Sequence, residues 1–439
     1  MKNRLAILMG LGFWLVACTE PSPRPPEANT PTTTGSGLIL LAAEGEVQVR
    51  RAGSTDFVPA TTGMVLFTND ELSLGPTARA VIQCEDMTTW YASPATTTTI
   101  AGKCPLARND VNLLAISQGQ VRVRRLGRLE FSLATNGTIV QRGDEVQAEA
   151  NAVATMICND LSTPVVPTER PVNVADVCPP GEEEILSTLS GGQQNRGGTD
   201  PLIPYVISPR MTRLLTNQPT LRWNEVVGAT SYTLRIQGQD FEWETETDQT
   251  ALLYPGEPLL EAGVVYLLSV EAANGRSSEE EGTARLGFVI LTEAEAATVQ
   301  AAVAQLAAAN LPVEALTLAR AHLYASYGLT AEALEELEAL AQGGSQTPAV
   351  YRLLGDLHRQ IGLPLLAEDD YLQAAPLAEA AGDLEAQAQA QVGAGEVYLT
   401  LGNREEAIRW LTRGRQAYES LGDGRQVAAL TARLEELQP

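Results

Sequence analysis

The sequence predicts a multidomain chain, all-β over its first two thirds and all-α over its last third. The β part divides into an N-terminal duplicated unit and a separate β-sandwich. Three observations carry this. Residues 47–57, VQVRRAGSTDF, return 74 positions later as VRVRRLGRLEF. Apolar and polar residues alternate in short runs up to about residue 291, the period of strands with one buried face. There the composition changes to Ala, Leu and Glu at helical spacing, with glycines recurring at 328, 362 and 402.

Residues 1–17 read as a signal peptide. Lys2 and Arg4 open it, and an apolar stretch follows from Leu5 to Ala17, too short for a stable membrane span. It ends in Leu15-Val16-Ala17-Cys18, which resembles the lipobox of bacterial lipoproteins. That resemblance implies acylation of the Cys18 thiol and cleavage before it. The alternative is a plain signal cut near Ala17. Residues 18–37 are rich in Pro, Thr and Gly and have almost nothing to bury, so a disordered tether is expected. Thr19, rather than Asp, follows the cysteine; by resemblance to lipoprotein sorting in two-membrane bacteria this favours the outer membrane. The expected location is the bacterial cell envelope, lipid-anchored and facing the periplasm, with membrane contact through the anchor.

The chain has 439 residues and a formal charge of −24, and removing Lys2 and Arg4 takes it to −26. Its only lysines are Lys2 and Lys103. Such acidity excludes nucleic acid as a general partner, because affinity there rests on neutralising phosphates. The length suits two to four domains.

Residues 38–180 form the duplicated region, with copies at about 44–105 and 118–179. At the gap-free offset of 74 there are 20 identities over the 61 positions from 45 to 105, among them Arg50-Arg51 with Arg124-Arg125, Phe57 with Phe131, and Asp70-Glu71 with Asp144-Glu145. That density at one offset is a duplication. Strands are expected near 47–50, 64–67, 71–74 and 78–83, and again near 121–124, 138–141, 145–148 and 152–157. Cys84 and Cys104, and Cys158 and Cys178, lie 20 residues apart in each copy, which reads as one disulfide per copy in an oxidising compartment. A metal site is the weaker alternative, since there is no C-x-x-C and the histidines are over 140 residues away. The pattern G-x-V-x-V, then Phe, Gly, Asp-Glu and A-x-A-x-x-x-C resembles the FecR family of periplasmic β domains. Members that regulate sigma factors carry a cytoplasmic head and a membrane span before this domain. Neither is found here, which leaves an envelope module. Arg122, Arg124, Arg125 and Arg128 are the one basic cluster. They are expected on a solvated strand face, with an anionic cell-wall polymer or acidic partner as the functional reading.

Residues 181–201, with PPGEEE and SGGQQNRGGTD nearby, read as a linker. In 202–291 strands are expected at 204–208, 219–223, 230–237, 240–246, 264–273 and 284–291. Trp223, Tyr232 nine residues on, and the run Leu260, Gly263, Tyr266, Val270 resemble the fibronectin type III layout. The resemblance implies core positions for Trp223 and Tyr232, and a corner at Tyr266 whose hydroxyl bonds nearby backbone. Trp243 is expected as edge-hairpin packing, with a ligand platform as the alternative.

In 292–439, segments starting at 321, 355 and 395 align, each with a glycine (328, 362, 402) five residues before an alanine (333, 367, 407). Helix–turn–helix repeats need glycine at the turn and small residues where helices cross. The pattern resembles the tetratricopeptide repeat, with Ala321 in place of the first expected Gly and His358 in place of a Tyr. The resemblance implies a peptide-binding groove on the inner helices at His322, Arg352, Asp356, Arg359, Glu396 and Leu399. The bland alternative is ordinary exposed helix positions.

Nothing marks catalysis. Both histidines fall in the helical repeats, so no serine or cysteine acquires a histidine base. No phosphate loop or metal cluster appears, and no cofactor is expected. Two acids suffice for glycan hydrolysis, but nothing singles out a pair. Two function classes follow. One is a non-catalytic, lipid-anchored scaffold binding a protein or peptide through the helical groove. The other is a FecR-like envelope sensor acting with a membrane partner.

Overall fold

The computed structural model describes residues 38–437, except 52–53, 62–63, 67–69, 84–88, 101–110, 169, 180–197, 201, 239 and 282–286. The signal peptide, Cys18, the tether, Cys84, Cys104 and nearly all of the linker lie outside the described residues.

The duplication is structural down to hydrogen-bond register. The first unit comprises β1 (Leu38–Glu44), β2 (Val47–Arg50), β3 (Val58–Pro59), β4 (Val65–Leu66), β5 (Glu71–Leu74), β6 (Arg79–Gln83), β7 (Thr89–Ala92) and β8 (Thr97–Thr99). The second comprises β9 (Asn112–Gln118), β10 (Val121–Arg124), β11 (Ser132–Ala134), β12 (Ile139–Val140), β13 (Glu145–Ala148), β14 (Val153–Ile157) and β15 (Val172–Asn173), followed by a single turn, α1 (Val174–Val177). One sheet runs β4-β1-β6-β7 in the first unit and β12-β9-β14 in the second; the other runs β3-β2-β5-β8 and β11-β10-β13-β15. Val47 faces Leu74 and Val121 faces Ala148, 74 residues on. The valines of β2 and β10 are buried, as their alternation requires.

The polar signature is repeated as well. Arg50 pairs with Glu71 at 2.5 Å and lies 4.8 Å over the Phe57 ring; Arg124 pairs with Glu145 at 2.5 Å and lies 4.8 Å over Phe131. Arg51 meets buried Asp70 at 2.6 Å, and Arg125 meets buried Asp144 at 2.5 Å. The doubled Arg-Arg and Asp-Glu motifs therefore tie β2 to β5 and β10 to β13. In the second unit Cys158 is disulfide-bonded to Cys178, with Cα atoms 5.3 Å apart.

The sandwich sets β16 (Val206–Ser208), β18 (Thr220–Trp223) and β21 (Ala251–Leu253) against a five-stranded sheet. That sheet runs β17 (Thr212–Leu214), β23 (Gly287–Ile290), β22 (Val265–Ala272), β19 (Tyr232–Gly238) and β20 (Phe241–Thr247). Sequence periodicity misses β17 and β21, three residues each and too short to show a period. Trp223 and Tyr232 are buried edge to face at 5.6 Å. The backbone N–H of Glu261 donates to the Tyr266 hydroxyl at 2.7 Å. Trp243 is partly buried and packs edge-on against Tyr254.

Eight helices complete the described chain: α2 (Glu293–Ala307), α3 (Val313–Ser326), α4 (Thr330–Gln342), α5 (Pro348–Gln360), α6 (Pro364–Ala381), α7 (Leu384–Thr400), α8 (Arg404–Ser420) and α9 (Gly424–Glu436). A capping box of Thr292 and Glu295 starts them. Gly328, Gly362 and Gly402 sit in the turns α3–α4, α5–α6 and α7–α8 with φ between 73° and 79°, a left-handed conformation costly for other residues. Ala333, Ala367 and Ala407 are fully buried where the helices cross. None of the described helices is long and apolar enough to cross a membrane.

Candidate interaction site on the helical repeats

The groove positions implied by the repeat pattern fall into two groups. His322 is buried on α3 and lines no surface. Ala315, Ala319 and Leu323 of the same helix pack against the second β unit. The others lie on α5 and α7, where the α5 residues are linked through Tyr371 and the α7 residues meet α9. Arg352 pairs with Asp356 one turn on at 2.6 Å. The Tyr371 hydroxyl, from α6, donates to the second oxygen of Asp356 at 2.6 Å and accepts from Arg359 Nε at 3.4 Å. Burial, then the charge of Asp356, holds the Tyr371 phenol well above its ordinary pKa, so it stays a donor. The Tyr371 ring contacts the positions of Gly355 and Gly393, where a Cβ would lie 3.0 Å and 2.4 Å from it. Glu396 receives two hydrogen bonds from Arg433 of α9, at 3.1 and 3.2 Å. Leu399 is partly buried beneath the same terminal helix. His358 is buried with Nδ1 2.6 Å from Asp370. The face is therefore mixed in charge and internally compensated.

What the sequence does not show is how much of the helical array the β domains cover. The second β unit grips one edge. Arg125 Nε reaches both oxygens of Glu385, at 3.0 Å each, while its other arm holds Asp144. Arg128 bonds Glu385 at 3.2 Å and Asp423 at 2.5 Å. The amide and hydroxyl of Thr135 both donate to Asp383, at 3.1 and 2.8 Å. Asp383 and Asp423 are the N-caps of α7 and α9. These carboxylates serve the helix termini on one side and the β unit on the other. Burial alone disfavours the Arg125 charge, but Glu385 and Asp144 more than offset it and its pKa is raised. Gly137, at φ 81°, brings backbone so close that a Cβ would lie 2.8 Å from Ala349 and Leu318. Behind this seam Val111, Leu113, Ala115, Ile157 and Leu161 share an apolar cluster with Leu306, Ala315, Ala319 and Leu323.

The arginine cluster is thus not uniformly the solvated strand face its alternation suggests. Arg122 is exposed and lies 3.5 Å from Glu149, and Arg124 stays with Glu145. Arg125 and Arg128 are engaged by the chain's own acids.

The sandwich holds the array elsewhere. Arg222 forms a two-armed pair with Glu338 at 2.6 and 3.1 Å. Buried Arg210 donates to the Ile361 carbonyl at 2.7 Å, and the Leu215 amide donates to Glu332 at 2.7 Å. The other Glu332 oxygen is sealed from solvent without a protein partner. Burial, only partly opposed by the Leu215 amide, pushes Glu332 up to about 7. Its charged form therefore penalises the folded state. Between about pH 4.5 and 7 the folded chain binds this proton more tightly than the unfolded one, and stability falls as pH rises. Glu332→Gln keeps the acceptor for Leu215 and removes the charge. It is expected to stabilise the protein on the order of 2 kcal/mol at pH 8 and hardly at all at pH 4.5. Urea unfolding across that range reads the difference, and parallel pH profiles for the two proteins would contradict it.

Comparison with known families matches residues 346–420 to a tetratricopeptide-repeat model. Among solved structures, MamA protein is 19% identical over 32% of this chain and 83% of its own, with a TM-score of 0.23. BtubC (BKLC) from P. vanneervenii is 16% identical over 32% of this chain and 70% of its own, with a TM-score of 0.25. Comparison with curated proteins returns no match. Among the described residues no cluster of three or more His, Cys, Asp or Glu is placed to hold a metal. Residues 346–420 thus match tetratricopeptide repeats within a run of helices that follows a β-rich N-terminal region.

Proposed function

We propose that this chain is a non-catalytic, lipid-anchored envelope scaffold that binds a protein partner along the α5, α7 and α9 face. The observation that carries it is the tetratricopeptide match over 346–420 on a face of paired arginines and acids. Those side chains are fixed by one another, so they present an ordered charge pattern to an extended, mixed-charge peptide. The β units read as FecR-like modules, supported by the duplicated two-sheet pattern. Residues 202–291 read as a fibronectin type III-like sandwich, supported by its three-on-five strand order and the Tyr266 hydroxyl bond. The anchor rests on Leu15-Val16-Ala17-Cys18 and its tether, and the outer membrane on Thr19. The domain limits proposed are 1–17, 18–37, 38–180, 181–201, 202–291 and 292–439.

The network linking Arg352, Asp356, Tyr371 and Arg359 makes charge reversal there a folding perturbation, so neutral replacement is the sharper test. Arg352→Gln with Arg359→Gln in the full chain should weaken the partner captured from the native envelope by about tenfold or more, with thermal melting lowered only slightly. Binding that survives this change excludes the face. Membrane fractionation of Cys18→Ser tests the anchor, since a variant that still partitions with the membrane after normal cleavage excludes acylation.

A further inference from the structure

We propose that the second β unit and the helical repeats together build a pocket for the carboxylate of an otherwise apolar peptide, at the rim of the α5, α7 and α9 face. The inference rests on the reading of that face as a peptide-binding surface and adds the group it selects. One wall is β11 and the turn after it, with Ser132, Leu133 and Thr138. The other is α5 and the first turns of α7, with Arg352, Ala386 and Gln389. The space between them is about 390 Å³, part of it open to solvent. Its enclosed part has room for roughly one or two waters, the size of a carboxylate head.

The ligand chemistry follows from which polar groups of the walls are already engaged. Buried Asp383 takes the Ala386 amide on one oxygen and the Thr135 amide and hydroxyl on the other. Glu385 takes Arg125 on both oxygens and Arg128 on one. Both acids therefore already hold their donors. Arg352 is the opposite case. Its side chain is only 13% exposed, and among the described residues its one hydrogen bond runs from Nη1 to Asp356 at 2.6 Å. A guanidinium carries several more N–H donors, so a largely desolvated cation still has hydrogen bonds to give. A carboxylate takes them as charge-assisted bonds. Leu133, Ile139, Ala349 and Ala386 supply the apolar rim around it. Arg352 belongs to both surfaces, lining the pocket and holding Asp356 on the helical face. A peptide lying on that face can seat its carboxylate here while the Arg352–Asp356 pair stays intact. The carboxylate has two sources, an acidic side chain or a chain end.

The test uses the full chain and three probes followed by saturation-transfer NMR: acetyl-Leu-Glu amide, acetyl-Leu-Leu free acid and acetyl-Leu-Gln amide. At least one acid is expected to bind with a Kd on the order of 1 mM, and the Gln amide about tenfold more weakly. Whichever acid binds better identifies the source of the carboxylate. Arg352→Gln should abolish the preference for acid over amide, and Arg352→Lys, which keeps a cation, should retain most of it. Ser132→Leu fills the pocket from the β side without touching α5 or α7 and should weaken acid binding about tenfold. Ala386→Met fills it from the helical side and serves where the first variant does not fold. No binding by the unmodified chain, equal binding of acid and amide, or acid binding that survives Arg352→Gln or the filling of the pocket would overturn the proposal. Capture of the envelope partner is scored in parallel. A partner lost with Arg352→Gln and Arg359→Gln but kept by the filled variants sinks the pocket and leaves the face. Acids that bind the pocket while the partner ignores both arginines sink the face instead.

Discussion

Reversing both arginines at the helical seam, Arg125→Glu with Arg128→Glu, is expected to undock the second β unit. Arg125 and Arg128 are the cations that pair with Asp144, Glu385 and Asp423 at this seam. Substituting glutamates leaves like charges facing one another at low exposure, and breaking such a pair from one side costs about 3–5 kcal/mol. The acid caps of α7 and α9 keep their helix-capping bonds, so the helices survive locally. The seam, with Gly137 against Leu318 and Ala349, opens. Chemical unfolding should become biphasic or lose at least that much stability, and the radius from small-angle scattering should increase. A single transition with an unchanged midpoint would show that the apolar cluster around Leu113 and Ala319 holds the unit without the ion pairs.

Cys158→Ala with Cys178→Ala is expected to cost about 3 kcal/mol, the chain-entropy contribution of closing a loop of this length. Taken by itself, the sequence suggests that such a loss stays within the β region and that the helical end melts unchanged. The structure argues otherwise. Ile157 and Leu161, flanking Cys158, pack in one cluster with Leu306, Ala315 and Leu323. Loosening this corner removes the cover of α2 and α3, so the helical far-ultraviolet signal should shift to lower temperature together with the β signal. Helices that melt at the unmodified temperature in this variant would restore the picture of independent parts.

The same coupling alters how fragments behave. A chain beginning at residue 292 would present Leu318, Ala349, Asp383 and Glu332 to water, all of which meet β-domain atoms in the intact protein. Solubility or binding of such a fragment would therefore report on exposed seams as much as on the repeats.

What the sequence determined by itself is everything that repeats or alternates over a short span. The 74-residue offset marks which strands correspond, because period-two burial and the Arg-Arg and Asp-Glu ladders act between neighbouring strands. The glycine-to-alanine spacing of five marks the helical turns, because a left-handed turn and a close helix crossing each demand one residue type. Core positions for Trp223 and Tyr232 came from the resemblance of 202–291 to a known sandwich layout, and both are buried. Tertiary structure alone decided which copy of a duplicated motif does what. Arg51 and Arg125 sit in the same local pattern, yet one remains at the surface and the other lies between Asp144 and a glutamate 260 residues away. Likewise Glu332 looks like any first-turn acid until the sandwich covers it. The physical reason is that strand and helix periodicities encode which face is buried, while charge pairing across a seam depends on where two distant surfaces meet, which no local period records.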